Sequence, residues 1–233
     1  MTNRSHLEQP SRLPPAAENL AAPEDVLTAT GIEKSYRLHP WSPRGRTRVL
    51  TGADIALKQG EVVGLVGENG SGKSTLMRIL VGDLAPDAGT LTRRGLVGYC
   101  PQEPLVYPRL TCDEHFELFG RAYGVTPSMS GRVGRPSTTP WVSSASPQTR
   151  ADRLSGGTLA KLNLGLALLP DPALLLLDEP YAGFDWDTYL KFWDIVDERR
   201  AAGRTVLIVS HFVVDEARFD RIVEIRDGRT WLR

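Results

Sequence analysis

Apolar and polar positions along this chain change period in a regular succession. Val26 to Arg37 and Val49 to Leu57 alternate as short strands do, with the Pro- and Arg-containing loop Leu38 to Arg48 between them and a turn at Gln59-Gly60. They predict an antiparallel flank. Val62 to Val66 is a continuous apolar run. Beyond it Leu76, Ile79 and Leu80 recur at i, i+3 and i+4, predicting a helix that ends near Gly82. A turn at Pro86-Asp87-Ala88-Gly89 and a strand from Leu96 to Cys100 follow. Thr111 and Glu114 have the T-x-x-E spacing of a capping box, which opens a helix through Tyr123 with Phe116, Phe119 and Tyr123 on its apolar side. From Pro127 to Thr149 the pattern dissolves into Ser, Thr, Pro and Gly, which offer little burial against the entropy of ordering; a flexible loop is expected. Periodicity returns with a helix from Thr158 to Leu169, a buried strand from Ala173 to Leu177 and an amphipathic helix after Asp185. The expected core stripe of that last helix is Trp186, Tyr189, Leu190, Trp193 and Val196. Gly203 ends it, Thr205 to Val209 is strand-like, and Ile222 to Leu232 reads as a hairpin turning at Asp227-Gly228. Strands alternating with helices imply an α/β fold with a mainly parallel, helix-covered sheet.

Composition narrows this picture modestly. A chain of 233 residues suits one α/β domain with a subdomain. Lys plus Arg and Asp plus Glu number 28 each, so net charge steers the chain toward neither nucleic acid nor an anionic membrane surface. Cys100 and Cys112 have no metal-site spacing and are too few for a secreted disulfide framework, which fits a reducing cytosol. Residues 1–25 carry no apolar signal core and are expected to be a disordered leader. The longest apolar stretch, Leu166 to Leu177, is broken by Pro170-Asp171-Pro172 and falls short of the roughly 20 residues that cross a bilayer. A soluble chain is expected.

The chemistry concentrates in three places. Gly67-Glu68-Asn69-Gly70-Ser71-Gly72-Lys73-Ser74-Thr75 follows the Val62 to Val66 strand and opens a helix, matching G-x-x-x-x-G-K-[ST] in the setting a phosphate-binding loop needs. Its glycines let consecutive N–H groups curl around phosphate oxygens, Lys73 adds a point charge, and Ser74 is a magnesium ligand. Asp178 and Glu179 end a buried strand at its carboxyl edge, where α/β sheets bind ligands. Beside a phosphate loop, the first acid suits Mg²⁺ and the second an attacking water. Leu154-Ser155-Gly156-Gly157-Thr158 stands at a helix start, whose free N–H groups suit an anion.

Taken in chain order, with the phosphate loop at 67–75, the Leu154 to Thr158 motif next and Asp178-Glu179 last, the three motifs resemble those of the ATP-binding cassette (ABC) ATPases. The resemblance covers residues 26–233 and implies a P-loop NTPase fold with a mainly parallel core sheet, an antiparallel β flank and a reduced helical subdomain at about 103–157. Other positions carry over singly. Tyr36 sits where the family stacks an aromatic ring on adenine. Gln102 matches the glutamine that senses the γ-phosphate and magnesium and faces the membrane partner. Asp185 in Tyr181-Ala182-Gly183-Phe184-Asp185 matches a loop that communicates between protomers, or is a simple helix cap. His211 matches the switch histidine at the γ-phosphate. The resemblance therefore implies ATP and Mg²⁺ as ligands. Glu179, His211, Gln102 and Lys73 are the expected catalytic set, Ser74, Gln102 and Asp178 the metal set, and Ser155, Gly156 and Gly157 the contacts to a second copy's nucleotide. Two departures stand out. Thr158 replaces the usual Gln, and 127–149 lacks the family's amphipathic helices, either as a loop replacing a helix or as a local shift of reading frame. The implied role is the motor subunit of a separate transmembrane permease, paired as a homodimer or heterodimer and held at the cytoplasmic face of the membrane. The segment Thr111 to Gly124 is similar to exporter-type cassettes. A soluble cassette acting on nucleic acid or ribosomes, or a weakly hydrolysing regulatory cassette, are the alternatives.

Overall fold

The computed structural model describes residues 24–37, 45–125, 147–211 and 215–233. The expected leader, apart from Glu24 and Asp25, and the expected loop at 127–149, apart from 147–149, lie outside these residues. Strands β1 (Asp25–Arg37) and β2 (Arg46–Lys58) pair antiparallel, as expected, with Ala29 opposite Ile55 and Lys34 opposite Leu50. β2 begins three residues before the position the alternation suggested. β3 (Val62–Val66) leads into α1 (Lys73–Val81), which Gly82 ends in the left-handed conformation.

A strand the pattern did not reveal comes next. β4 (Ala88–Arg93) pairs with the free edge of β1, and only Leu91 within it is partly buried, so it carries no apolar alternation to read. Gly89 makes the pairing possible, since a Cβ there would lie 2.5 Å from the Gly31 carbonyl. The remaining elements are β5 (Val97–Cys100), α2 (Cys112–Ala122), α3 (Gly156–Leu168), β6 (Leu174–Asp178), α4 (Trp186–Ala201), β7 (Thr205–Ser210), β8 (Arg221–Arg226) and β9 (Arg229–Leu232). The Thr111–Glu114 capping box forms in full, and residues 147–150 return to the start of α2, with Arg150 bridging Thr111.

Six strands in the order β5-β6-β7-β3-β8-β9 make the main sheet, parallel except for the last hairpin. Its central strands read as unbroken apolar runs because both faces are covered. Leu174 and Leu176 of β6, with Leu207 and Val209 of β7, join α1 and the three-stranded sheet in one core. Leu175, Leu177, Val206 and Ile208 point the other way, into Phe192, Trp193 and Val196 of α4 and Leu164 and Leu168 of α3. A smaller third cluster joins Cys112 and Phe116 of α2 to Leu162 and Leu166 of α3.

The expected stripe of α4 needs correction. Trp193 and Val196 are buried, but Trp186 is 67% exposed and Leu190 38% exposed, while Phe192 and Ile195 are buried in their place. The sheet is met by a face rotated from the one the aromatic spacing suggested. Trp186 instead stacks on Tyr189 at 5.5 Å.

Candidate functional site

The loop between β3 and α1 needs glycine at three positions for three reasons. A Cβ at Gly67 would stand 2.5 Å from the Ile225 carbonyl and 2.7 Å from Ser71 Oγ, so packing forbids it. Gly70 has open space around it but a φ of 80°, so conformation requires it. Gly72 combines both, with φ 110° and a would-be Cβ 2.9 Å from Leu50 Cδ2. No side chain caps α1, which leaves its first N–H groups turned toward the loop. Ser71 Oγ is buried without a partner, a polar atom the protein leaves unmatched. Lys73 is buried, and its Nζ donates to the carbonyls of Gly67 at 2.6 Å and Glu68 at 2.9 Å. Burial lowers its pKa, against the opposing pull of Glu179 and Asp178.

Strand ends bring distant parts of the sequence to this loop. A cleft of about 580 Å³ is lined by Asn69, Gly70, Gly72, Lys73, Ser74 and Thr75, by Gln102 beyond β5, by Asp178 and Glu179 at the end of β6, by His211 beyond β7 and by Val49 of β2. Gly67 lines neither this cleft nor its neighbour, its carbonyl accepting from Lys73 Nζ, whereas Glu68 and Ser71 line an adjoining cavity beside Glu224 and Arg226. Tyr36 stands at the other end of the loop, its hydroxyl 3.5 Å from Thr75 Oγ1.

Two carboxylates with different surroundings meet here. Burial first, and Glu179 second, raise the pKa of Asp178, while Lys73 and His211 act against the rise. Glu179 adopts a left-handed backbone, φ 49°, which is costly for a side chain with a Cβ and marks a position held by its surroundings. Its N–H donates to the Val209 carbonyl, and Ser210 Oγ donates to its Oε2 at 3.3 Å. His211 Nε2 stands 3.4 Å from Oε1, an ion-pair separation without hydrogen-bond geometry, so Oε1 stays buried and unmatched. The expected metal set consists of a hydroxyl, an amide and a carboxylate. Such hard oxygen donors, with one carboxylate among them, suit Mg²⁺ alongside phosphate oxygens.

Ser155, Gly156, Gly157 and Asp185 line no part of this cleft. Ser155 caps α3, accepting from the Thr158 N–H at 3.3 Å and pairing with the Thr158 hydroxyl at 2.9 Å, so the departure at 158 forms a local contact. Asp185 caps α4 through the Thr188 N–H at 2.8 Å, and that bonding to Thr188 lowers its pKa. Gly157 packs near the loop before Asp185, since a Cβ on it would lie 3.2 Å from the Gly183 carbonyl. Two contributors escaped sequence reasoning. Ser210 bonds Glu179, and its only signal was its place before His211. Asn163 bonds the carbonyl of Pro101, and its signal was an amide set in an apolar run.

Comparison with known proteins identifies the family and the fold. A family model described as ABC transporter matches residues 50–182. The Nod factor export ATP-binding protein I of Paraburkholderia xenovorans is 33% identical over 224 residues, covering 89% of this chain and 70% of that protein. The Linearmycin resistance ATP-binding protein LnrL of Bacillus subtilis is 31% identical over 217 residues, covering 87% of this chain and 67% of that protein. This chain spans 65–70% of the length of four Nod factor export proteins. Among solved structures, a dimeric ATP-binding cassette in a post-hydrolysis state bound to ADP and Pi matches with a TM-score of 0.78. It does so over 87% of this chain and 95% of that one, at 24% identity, a likeness of fold.

Proposed function

The chain belongs to the ABC transporter family of ATPases, and from that premise we propose that it drives export through a separate transmembrane permease. The observation that carries this reading is the convergence of Lys73, Ser74, Gln102, Asp178, Glu179 and His211 on one cleft at the carboxyl edge of the parallel sheet. Tyr36 offers a ring for the adenine beside Thr75. The loop N–H groups and Lys73 neutralise charge on the β- and γ-phosphates. Ser74, Gln102 and Asp178 would hold Mg²⁺, which when bound supplies charge neutralisation at the phosphates. Glu179, with one carboxylate oxygen unmatched, accepts the proton of the attacking water, and His211 orients that water beside the γ-phosphate.

The signature Ser155 to Gly157 lies outside the cleft, which fits a site completed by a second copy. Two chains pack head to tail, each cleft closing on the partner's signature, and hydrolysis releases them. Among the described residues no helix is long and apolar enough to cross a membrane. A mainly apolar groove of about 770 Å³ beside Gln102, walled by Tyr99, Pro101, Phe119, Tyr123 and Leu166, is where we place the permease contact. The two relatives named for export and resistance favour outward transport.

Steady-state ATPase assays on Glu179→Gln test the reading. Turnover falls by about 10²–10⁴ while nucleotide affinity is kept. Unchanged turnover would remove Glu179 from the mechanism.

A further inference from the structure

The segment leaving β5 alternates in what its residues face. Pro101 and Glu103 line the groove beside α2 and α3, while Gln102 between them lines the cleft with Lys73 and Asp178. One side chain from elsewhere in the sequence grips this segment. Asn163 of α3 is 6% exposed, and its Nδ2 donates to the Pro101 carbonyl at 2.8 Å and lies 3.2 Å from the buried Cys100 Sγ. A carbonyl can only accept, so the amide nitrogen must be the end that faces it. Proline has no N–H, so this carbonyl is the one backbone polar group Pro101 can offer. It is also half of the planar Pro101–Gln102 peptide, whose orientation sets the direction in which Gln102 departs.

Asn163 belongs to the helix that Ser155 caps, where it interrupts the run Leu162-Asn163-Leu164-Gly165-Leu166-Ala167-Leu168. An amide held dry at such a position costs stability unless it is bonded. The same helix meets β5 along its backbone. A Cβ on Gly98 would come within 2.3 Å of the Ala167 carbonyl, so α3 lies against β5 at a distance only glycine permits. α3 and β5 are thus coupled at two levels, by close packing at Gly98 and by the amide at Pro101.

We propose that Asn163 is a positioning residue that ties the signature helix to the Pro101–Gln102 peptide, so that Gln102 is presented to the cleft in a register set by α3. The proposal rests on the reading of the cleft as the ATP site. It gives one protomer a direct mechanical link between the segment that serves its own nucleotide and the segment that serves its partner's.

The test compares wild type, Asn163→Ala, the isosteric Asn163→Asp, Gln102→Ala and the double variant Gln102→Ala/Asn163→Ala. Each is measured for affinity toward a fluorescent ATP analogue with EDTA and with Mg²⁺, and for kcat and KM. Both Asn163 variants keep their affinity in EDTA. Their Mg²⁺-dependent gain in affinity and their kcat fall by about threefold to tenfold, the loss expected from one hydrogen bond. In the Gln102→Ala background, Asn163→Ala costs nothing further. An equal cost in that background would mean independent sites and would overturn the proposal. So would a full Mg²⁺ response in folded Asn163→Asp, or a change confined to melting temperature. Wild type that gains no affinity from Mg²⁺ would instead remove the ATP-site premise, and the proposal with it.

Discussion

Asp178 and Glu179 are neighbours that the fold treats differently. Glu179 is held in a left-handed turn by a backbone bond to Val209, whereas Asp178 ends a strand and is buried with its pKa raised. A raised carboxyl pKa has a defined effect on stability. Below the ordinary Asp range, folded and unfolded chains both hold the proton and no penalty exists; as pH climbs through the raised value, the buried carboxylate ionises and stability is lost. At neutral pH wild type therefore carries a cost that an amide would not. Asp178→Asn is expected to raise the nucleotide-free Tm at pH 7. That advantage shrinks as pH is lowered, and Mg²⁺-dependent nucleotide affinity falls. Scanning calorimetry across pH with a nucleotide titration checks both arms. Gly67 to Ser74 were legible because phosphate chemistry demands fixed spacings, whereas Gln102 and His211, which also line the cleft, were read only through the family resemblance. Ser210 and Asn163 were not legible, since a supporting hydrogen bond demands only a donor in reach and leaves no spacing to read.

Elements were legible where burial left a mark, as an unbroken apolar run in β3, β6 and β7 or as a periodic stripe elsewhere. α1, the hairpin at Asp227-Gly228 and the Thr111–Glu114 cap all stood out, because periodicity, a left-handed turn and a paired cap are local requirements. β4 escaped because a nearly exposed strand has no buried face to mark. α4 was found but misoriented. Its aromatic residues outnumber the positions the sheet can cover, so spacing could not decide which ones turn inward. The corrected face predicts unequal costs for two tryptophans. Trp193, 2% exposed, with Phe219 at 5.3 Å and the Arg218 guanidinium at 5.1 Å, should cost about 3–5 kcal/mol on replacement by alanine. Trp186→Ala should stay within about 0.5 kcal/mol. Urea unfolding of the two variants decides it, and equal losses would restore the original stripe.

For the whole molecule, the separation of the signature from the cleft makes a prediction that no single chain can satisfy. If the chain pairs head to tail with itself, as proposed above, Lys73→Ala and Ser155→Ala each damage both sites of their own homodimer. Mixed, they form pairs in which one composite site has both lesions and the other has neither. Activity should reappear on mixing, at about half the wild-type value per mixed pair if the two sites work independently. A site complete within one chain would show no such recovery. The distribution of the three hydrophobic clusters has its own consequence. β6 and β7 are wedged from both sides, so Asp178, Glu179 and His211 share a stiff mounting. The longest described stretch without helix or strand runs from Pro101 to Leu110, between that mounting and the separate α2–α3 cluster. A nucleotide that arrives at the cleft thus meets a floor built on two packed strands and, at Gln102, a wall whose attachment to the fold runs through single hydrogen bonds, such as those from Asn163 to the Pro101 carbonyl and from the Tyr107 N–H to His115.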